Sequence, residues 1–291
     1  MVTRASRLSS FFTNRLRAAL WIAAIALAIA LVTAVIIGLA PKQSKGPNIR
    51  RTLVSAYIVR VGRLQAGMQA QVRAVDKQYR QFAHDPAGIG KHVAQYRQAE
   101  RVLAVLRDRL AAVDPPREAR RLQTLLVAHA AENVRVAADV TALARYLPAL
   151  SKTQASLRPA VASLRTAVGK AHTAKKQAAA FAAYAATTAT IGDMIAQLTA
   201  PSFFVHARDA EVAQLRQLSA LATQISSALL HKQLQAAQNL VADLGRVEAD
   251  TSVALAQRAG ALAYNARLKK IRSIAIQIDA ERKRLEKRVP A

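Results

Sequence analysis

The sequence predicts an all-α protein in which an N-terminal transmembrane helix is followed by an antiparallel multi-helix bundle. Three observations predict it. Residues 18–40 form a long stretch without a charged side chain. After this stretch, apolar residues recur at steps of three and four, the spacing of a helix that buries one face. Aromatic residues make up only 4% of the chain, while alanine is abundant, and this composition favours closely packed helices over strands.

The uncharged stretch is long enough to span a membrane. At about 1.5 Å of rise per residue, a helix of this length crosses a hydrocarbon core of roughly 30 Å. A cleaved signal peptide is the alternative, but its apolar region is usually only about 7–15 residues long. We therefore interpret the stretch as an uncleaved anchor, with Trp21 near its first boundary, where amphipathic rings are common. The anchor residues that mark its course are Ala18, Trp21, Leu31 and Ala40.

The anchor divides the chain into parts of unequal length. They are a short basic tail at 1–17, the anchor at 18–40, a linker with two prolines at 41–48, and a basic helical bundle at 49–291. Lys and Arg flank the anchor in similar numbers on both sides, so the positive-inside rule gives no clear orientation. Long domains cross a membrane largely regardless of charge. We therefore expect the tail in the cytoplasm and the bundle outside the cell membrane.

Within the bundle, apolar periodicity and proline turns predict a series of long helices. They cover about 50–84, 91–113, 115–147, 152–198, 203–230, 232–244 and 250–287, with Asp114 as the expected cap of the third. Among the apolar positions assigned to their buried faces are Tyr79 and Phe82 on the first helix, Leu215, Leu218, Ala222, Ile225 and Leu229 on the fifth, and Ile278 on the last. A helix, a proline turn and an amphipathic helix follow Leu106, and a similar pattern follows Met194. This pattern pairs Leu110 with Leu198 and Leu122 with Leu215. It leaves open two tandem modules, 49–150 and 151–291, although any two helix-turn-helix segments look alike.

Composition and motifs argue against an enzyme. The chain has no cysteine, which excludes disulfides and thiolate chemistry. No two of its six histidines are four residues apart, so no helical metal-binding pair is present, and neither a glycine-rich phosphate loop nor a nucleophile motif occurs. Acidic residues, the usual general acids and bases, are sparse. The sequence therefore predicts no catalytic residue, no metal and no cofactor.

One pair of polar residues interrupts an apolar seam. His129 and Asn133 lie one helical turn apart between apolar positions of the third predicted bundle helix. A polar ligand pocket is one interpretation. A hydrogen-bonded core pair is the interpretation that we favour, because buried polar side chains normally bond to one another or to backbone.

Positive charge is the strongest functional signal. The chain has 43 Lys and Arg against 17 Asp and Glu, a formal +26, and such a field attracts polyanions. No acid occurs between Asp139 and Asp193. The candidate polyanion-binding residues are Arg145, Lys152, Arg158, Arg165, Lys170, Lys175 and Lys176 in this acid-free region, and Arg267, Lys269, Lys270 and Arg272 in the last helix. A continuous helix would align Arg158, Arg165 and Lys176 in a stripe about 27 Å long. A solvated face that only keeps the bundle soluble is the alternative.

These observations predict a single-pass, non-enzymatic binding or structural module of the bacterial cell envelope. Its expected partners are membrane lipid through the anchor and an anionic polymer, lipid head groups or a partner protein through the basic bundle. A sensor-like ligand-binding bundle outside the cytoplasm and a cytoplasm-facing tether for nucleic acid are the alternatives. Nucleic acid is the less favoured partner, because the few aromatic residues lie on core seams instead of forming stacking platforms.

Overall fold

A computed structural model describes the backbone of residues 49–84 and 86–288, and the side chains of 52–75 and 88–287. Throughout these residues, every regular element is a helix, so the all-helical bundle is confirmed. The tail, the anchor residues and the linker lie outside the described residues. The α-helices are α1 (Ile49–His84), α2 (Val93–Ala111), α3 (Arg120–Gln154), α4 (Leu157–Lys170), α5 (Ala174–Ala196), α6 (Val205–Leu230), α7 (Leu234–Glu248) and α8 (Ser252–Arg288).

Helix α3 is longer than the sequence predicts. The predicted end at Pro148 is wrong, because α3 continues through this proline to Gln154. A proline inside a helix costs about 3 kcal/mol, since it lacks an N–H and crowds the preceding turn. Tyr146 and Thr153 are buried on either side of it. Burial of these two side chains favours the helical conformation of this segment despite the lost hydrogen bond.

The predicted helix over 152–198 is also wrong, because the structure contains three helices there. Helix α4 ends at Lys170, one residue after Gly169, and α5 begins at Ala174. Thr173 has extended φ and ψ angles, and its hydroxyl oxygen accepts a hydrogen bond from the backbone N–H of Lys176 at 3.3 Å. A threonine in this position is a common N-cap. The cap starts a new helix in front of the alanine run.

The chain forms two compact units. The split unit comprises residues 49–145 and 262–288, and the inserted unit comprises residues 146–261. Helix α3 passes from the split unit into the inserted unit, and α8 passes back. The predicted division at residue 150 stays a prediction. In the structure, residues 262–288 belong to the same unit as residues 49–145, although the sequence groups them with residues 151–261.

The core of the split unit consists of the seams that the sequence predicts on α1, α2, α3 and α8. Its most buried aliphatic side chains interlock across all four helices and supply most of the driving force for packing. The large members are Val61, Met68, Leu103, Leu110, Leu122, Leu126, Ile278 and Leu285. Tyr79 and Phe82, which the sequence also assigns to this core, lie outside the described side chains.

The core of the inserted unit relies on smaller residues. Helices α5 and α6 approach closely through alanines, because a methyl side chain lets two backbones come near each other. Ser219 on α6 donates a hydrogen bond to the carbonyl oxygen of Ala185 on α5 at 2.9 Å. The predicted α6 seam is confirmed at each position, since Leu215, Leu218, Ala222, Ile225 and Leu229 are all buried.

The two units share one local structure, a proline turn between two helices. Pro116 and Pro201 have nearly the same backbone angles, with φ of −54° and −55° and ψ of 152° and 149°. Each proline accepts a hydrogen bond from the residue three positions later at 2.8 Å, and a three-residue 3₁₀ helix follows. Alignment of the two prolines pairs Leu110 with Ile195 instead of the predicted Leu198, and Leu122 with Ala207 instead of the predicted Leu215.

Candidate functional site

The predicted polyanion-binding residues fall into both units. Of the residues in the split unit, Arg145, Lys269, Lys270 and Arg272 are exposed, while Arg267 is half-buried. The members in the inserted unit are all exposed, namely Lys152, Arg158, Arg165, Lys170, Lys175 and Lys176. The structure therefore places them in two groups, which are described separately.

In the inserted unit, the predicted basic stripe is wrong because no continuous helix joins residues 158 and 176. A turn separates α4, which ends at Lys170, from α5, which begins at Ala174. Partly buried apolar side chains of α4 pack against buried residues of α5. Lys170, His172, Lys175 and Lys176 all lie at this turn and are exposed. The structure replaces the stripe with a compact basic turn, which we define by these four residues.

Helix electrostatics explain only one side of the basic turn. Lys170 is the last residue of α4, where a cation is favoured by the negative end of the helix dipole. Lys175 and Lys176 lie in the first turn of α5, which contains no acidic residue. Cations are disfavoured there by a few tenths of a kcal/mol to about 1 kcal/mol each. These two lysines therefore do not stabilise the helix on which they lie.

Arg165 has a local role in the inserted unit. Burial raises the pKa of the Glu248 carboxyl near the end of α7, and the charge of Arg165 opposes this shift. Arg158 lies seven residues earlier on the same face of α4. Of the two arginines, Arg165 therefore helps to compensate a partly buried acid, and Arg158 is the better candidate for an external anion.

Two of the predicted cations in the split unit bind acids of the same unit. Lys270 on α8 contacts Glu132 on α3 at 2.7 Å, and Arg267 forms an ion pair with Asp139. Residue numbers rise along α3 as they fall along α8, so these two segments run antiparallel. Both carboxylates are buried. Lys270 and Arg267 therefore compensate buried acids that are distant in the sequence.

Burial and the neighbouring cations shift the pKa of each of these two acids. Burial raises the pKa of Glu132, but the Lys270 hydrogen bond and the surrounding cations together lower it below its usual value. For Asp139, burial dominates and raises the pKa, although Arg267 acts against it. Loss of Arg267 would leave the buried Asp139 carboxylate without its cation, which is costly. Without Lys270, Glu132 would keep a second ion pair, with Arg135 at 2.9 Å. By contrast, Lys269 and Arg272 make no ion pair with any described residue and are exposed.

The His129–Asn133 pair is a local hydrogen-bonded pair. The Asn133 side-chain amide donates to the carbonyl oxygen of His129 at 2.9 Å and lies 3.2 Å from the imidazole Nδ1. Burial lowers the pKa of His129 to about 4, so the ring is neutral at pH 7. This geometry agrees with the core pair. Among the described residues, no group of three or more His, Cys, Asp and Glu is arranged to hold a metal ion.

Most of the positive charge lies outside the segments that the sequence singles out. The split unit, residues 49–145 and 262–288, holds 26 Lys and Arg against 11 Asp and Glu, or +15. The inserted unit holds 11 against 6, or +5. Six of the eleven candidate residues nevertheless belong to the inserted unit. Charge counted along the chain hides the difference, because the whole inserted unit separates the two segments of the split unit in the sequence.

No helix in the described part of the chain is both long and apolar enough to cross a membrane. The predicted anchor lies outside that part. No family model matches the chain, and neither a curated protein nor a solved structure matches it. By its fold and its charge, the described part of the chain is an all-helical protein of two units in which cations outnumber acids.

Proposed function

We propose that this protein is a membrane-anchored, non-enzymatic helical module of the bacterial cell envelope that binds polyanions. The observation that supports it best is the +15 charge of the split unit. Residues 18–40 would provide the anchor, since their length and lack of charge suit a membrane span. The bundle would lie outside the cytoplasm, where it meets anionic polymer, lipid head groups or a partner protein.

Burial of acids strengthens the positive surface of the split unit. Glu132, Asp139 and Glu281 are buried, and each forms an ion pair with an arginine or lysine. Many of the remaining cations are exposed without such a partner among the described residues, including Arg60, Arg63, Arg97, Arg101, Arg117 and Arg120. Exposed cations of one sign create a field that attracts polyanions over roughly a Debye length, about 8 Å at physiological salt.

Aromatic residues favour a partner other than single-stranded nucleic acid. Single strands are usually bound through exposed aromatic side chains on which bases stack. Of the eight aromatic side chains of Phe and Tyr that the structure describes, seven are buried and Phe203 is half-buried. Duplex DNA needs only phosphate contacts, so it belongs in the test as a competing polyanion.

A salt titration of the full chain tests this function. The protein would be reconstituted into nanodiscs of neutral lipid and titrated with polyphosphate, with anionic vesicles and with duplex DNA. We expect binding at low salt that weakens as salt rises, since counterions screen exposed charges. Affinity that is undetectable at low salt, or that is independent of salt, would contradict polyanion binding. A second measurement, protease protection of the C-terminus in cells, tests the proposed orientation.

A matched pair of variants assigns the binding to a unit. One replaces Arg97, Arg101, Lys269 and Arg272 of the split unit with glutamine, and the other replaces Lys152, Lys170, Lys175 and Lys176 of the inserted unit. All eight side chains are exposed. We expect the first variant to bind polyanions more weakly than the second, because it reduces the larger of the two fields. Equal loss in both would show that the charge of the whole chain matters instead.

A further inference from the structure

The end of the split unit at which α1 begins brings three chain segments together. Tyr57 on α1 donates a hydrogen bond to the Gln123 side chain at 2.7 Å, and Gln123 donates to the carbonyl oxygen of Leu110 at 2.6 Å. Arg284, near the end of α8, donates to the carbonyl oxygen of Glu118 at 3.3 Å. The start of α1, the turn between α2 and α3, and the end of α8 therefore lie together.

This end holds more than half of the net charge of the split unit. Its segments, 49–63, 108–121 and 281–288, contain 13 Lys and Arg against 5 Asp and Glu, or +8 of the +15. One of the acids, Glu281, is buried and paired with Arg284. We name the exposed cations of this end the basic end; they are Arg60, Arg63, Arg109, Arg117, Arg120, Arg121, Lys283 and Lys287.

Helix stability accounts for only part of the basic end. Lys283 and Lys287 are near the end of α8, where cations complement the helix dipole. Arg117, Arg120 and Arg121 lie before and within the first turn of α3, where cations are disfavoured. The first turn of α1 also lacks any acid. Arg121 lies 4.0 Å from the buried Glu281 carboxylate, which gives it a structural role. Arg117 and Arg120 require another explanation.

The position of the basic end in the chain indicates its partner. Only eight residues separate the predicted anchor, which ends at Ala40, from Ile49 at the start of α1. Eight fully extended residues span at most about 28 Å. If the anchor is in a bilayer, as the proposed function states, the start of α1 stays within that distance of the membrane surface. A tether of this length keeps the basic end at a high local concentration near the head groups.

We propose that the basic end docks on anionic lipid head groups of the membrane that holds the anchor. Cations near an anionic membrane surface gain about 1 kcal/mol each, and head groups accept hydrogen bonds from arginine and lysine. This inference rests on the anchor of the proposed function. It goes further by assigning the lipid itself as the polyanion for this end and by naming the residues that meet it.

Distances from the membrane test the docking directly. The chain contains no cysteine, so one introduced cysteine takes a fluorescent donor at a single place. Ala112 lies at the basic end, directly after the last residue of α2, and Ala94 lies in the first turn of α2. Both are exposed, and they are about 27 Å apart by helical rise. Donors on the A112C and A94C chains would be paired with an acceptor in the lipids of nanodiscs, either neutral or containing anionic lipid.

In anionic nanodiscs we expect residue 112 to approach the lipid more closely than in neutral nanodiscs, and this approach to be lost at high salt. The A94C donor should report a smaller change. Glutamine at Arg60, Arg117, Arg120 and Lys287 should lower the ratio of docked to undocked protein at least about tenfold, since each cation near the surface is worth about fivefold. Glutamine at Arg97, Arg101, Lys269 and Arg272 is the charge-matched comparison, because it removes four exposed cations farther from this end; it should lower the same ratio by less.

The possible failures are distinct. A chain that washes off neutral vesicles at high salt has no anchor, and the proposed function fails with it. A chain that stays anchored, but whose residue 112 lies equally far from neutral and anionic lipid, contradicts the docking alone. If soluble polyphosphate or duplex DNA binds the basic end while anionic lipid leaves the distance unchanged, the end belongs to another polyanion and the inference is overturned.

Discussion

The two units close their proline turns with the same backbone and with different side chains. At equivalent positions of the two turns, Gln123 donates to the carbonyl oxygen of Val113 at 3.1 Å and Arg208 donates to that of Leu198 at 3.2 Å. Gln123 is buried and also contacts Tyr57. Arg208 is partly exposed and also pairs with Asp209. The turn thus needs a donor that reaches back to the preceding helix, and either side chain satisfies the need.

The contacts between these turns and α8 also differ. In the split unit, the carbonyl oxygen of Glu118 accepts a hydrogen bond from Arg284. In the inserted unit, the equivalent carbonyl oxygen, that of Phe203, faces Gly260 so closely that a methyl group there would overlap it. A long, charged side chain joins the helices in one unit, and direct backbone contact joins them in the other. This difference makes the inserted unit the more sensitive to added volume.

The largest expected effect comes from filling that contact. We expect G260A to destabilise the inserted unit by about 3 kcal/mol, because a backbone carbonyl cannot move aside as a flexible side chain can. G245A is the matched control, since its methyl group meets no atom within 4 Å and alanine favours a helix. Urea unfolding followed by circular dichroism measures both. A G260A chain as stable as the wild type would disprove the close contact.

The second-largest expected effect is the loss of stability when the side chain that closes each proline turn is removed. Q123A should cost about 2–3 kcal/mol, because it removes two donated hydrogen bonds and leaves the buried Tyr57 hydroxyl without its acceptor. R208A should cost about 1 kcal/mol, since water can replace part of what is lost at a partly exposed site. Denaturant unfolding of both variants measures the two losses in unfolding free energy. Equal costs would mean that burial of Gln123 adds nothing to its role.

The sequence predicts the seams of this fold and misses what links distant segments. Helical periodicity is local, so positions such as Leu215 and Ile278 could be assigned to a core and are buried. The contact of Arg267 with Asp139 joins residues 128 positions apart. No spacing rule points to such a pair, and the charge of the last helix therefore resembled a free basic cluster.

Weak local signals account for the other errors. The cap at Thr173 is a single side chain in a long alanine-rich stretch that otherwise favours one helix. At Pro148 the local signal is strong but misleading: proline usually ends a helix, and yet α3 continues through it. The basic end needs the fold itself, since its three segments meet only after α8 returns to the split unit.

The pH dependence of stability should also differ between the two units, by a smaller amount. The residue equivalent to His129 is Gln214, which donates to the carbonyl oxygen of Val247 on α7 at 2.8 Å. The folded pKa of His129 is about 4 against an ordinary value of 6.5. The unfolded chain therefore binds a proton more readily than the folded chain, and stability falls as pH drops from about 6.5 to about 4.

H129Q makes this position in the split unit like that of the inserted unit. We expect the wild type to lose about 2 kcal/mol relative to H129Q between pH 7 and pH 5, because only the wild type has an imidazole to protonate on unfolding. Denaturant unfolding at several pH values measures the difference between the two chains. Parallel stability curves over this range would show that His129 is not desolvated in the folded protein.

The smallest effect tests whether the basic turn exists for binding or for stability. Lys175 in the first turn of α5 opposes the helix dipole, so K175E should stabilise the inserted unit by about 0.5–1 kcal/mol. Lys170 at the end of α4 complements the dipole, and K170E should destabilise the unit by a similar amount.

If the basic turn takes part in polyanion binding, both variants should weaken the binding to the same extent. Each removes one exposed cation and adds one anion at the same turn. A K175E chain that is more stable and binds polyphosphate less well would separate the two roles, because a lysine kept for stability would show the opposite sign. If both variants leave binding unchanged, the basic turn has no part in it and the split unit, with its threefold larger charge, is the binding unit.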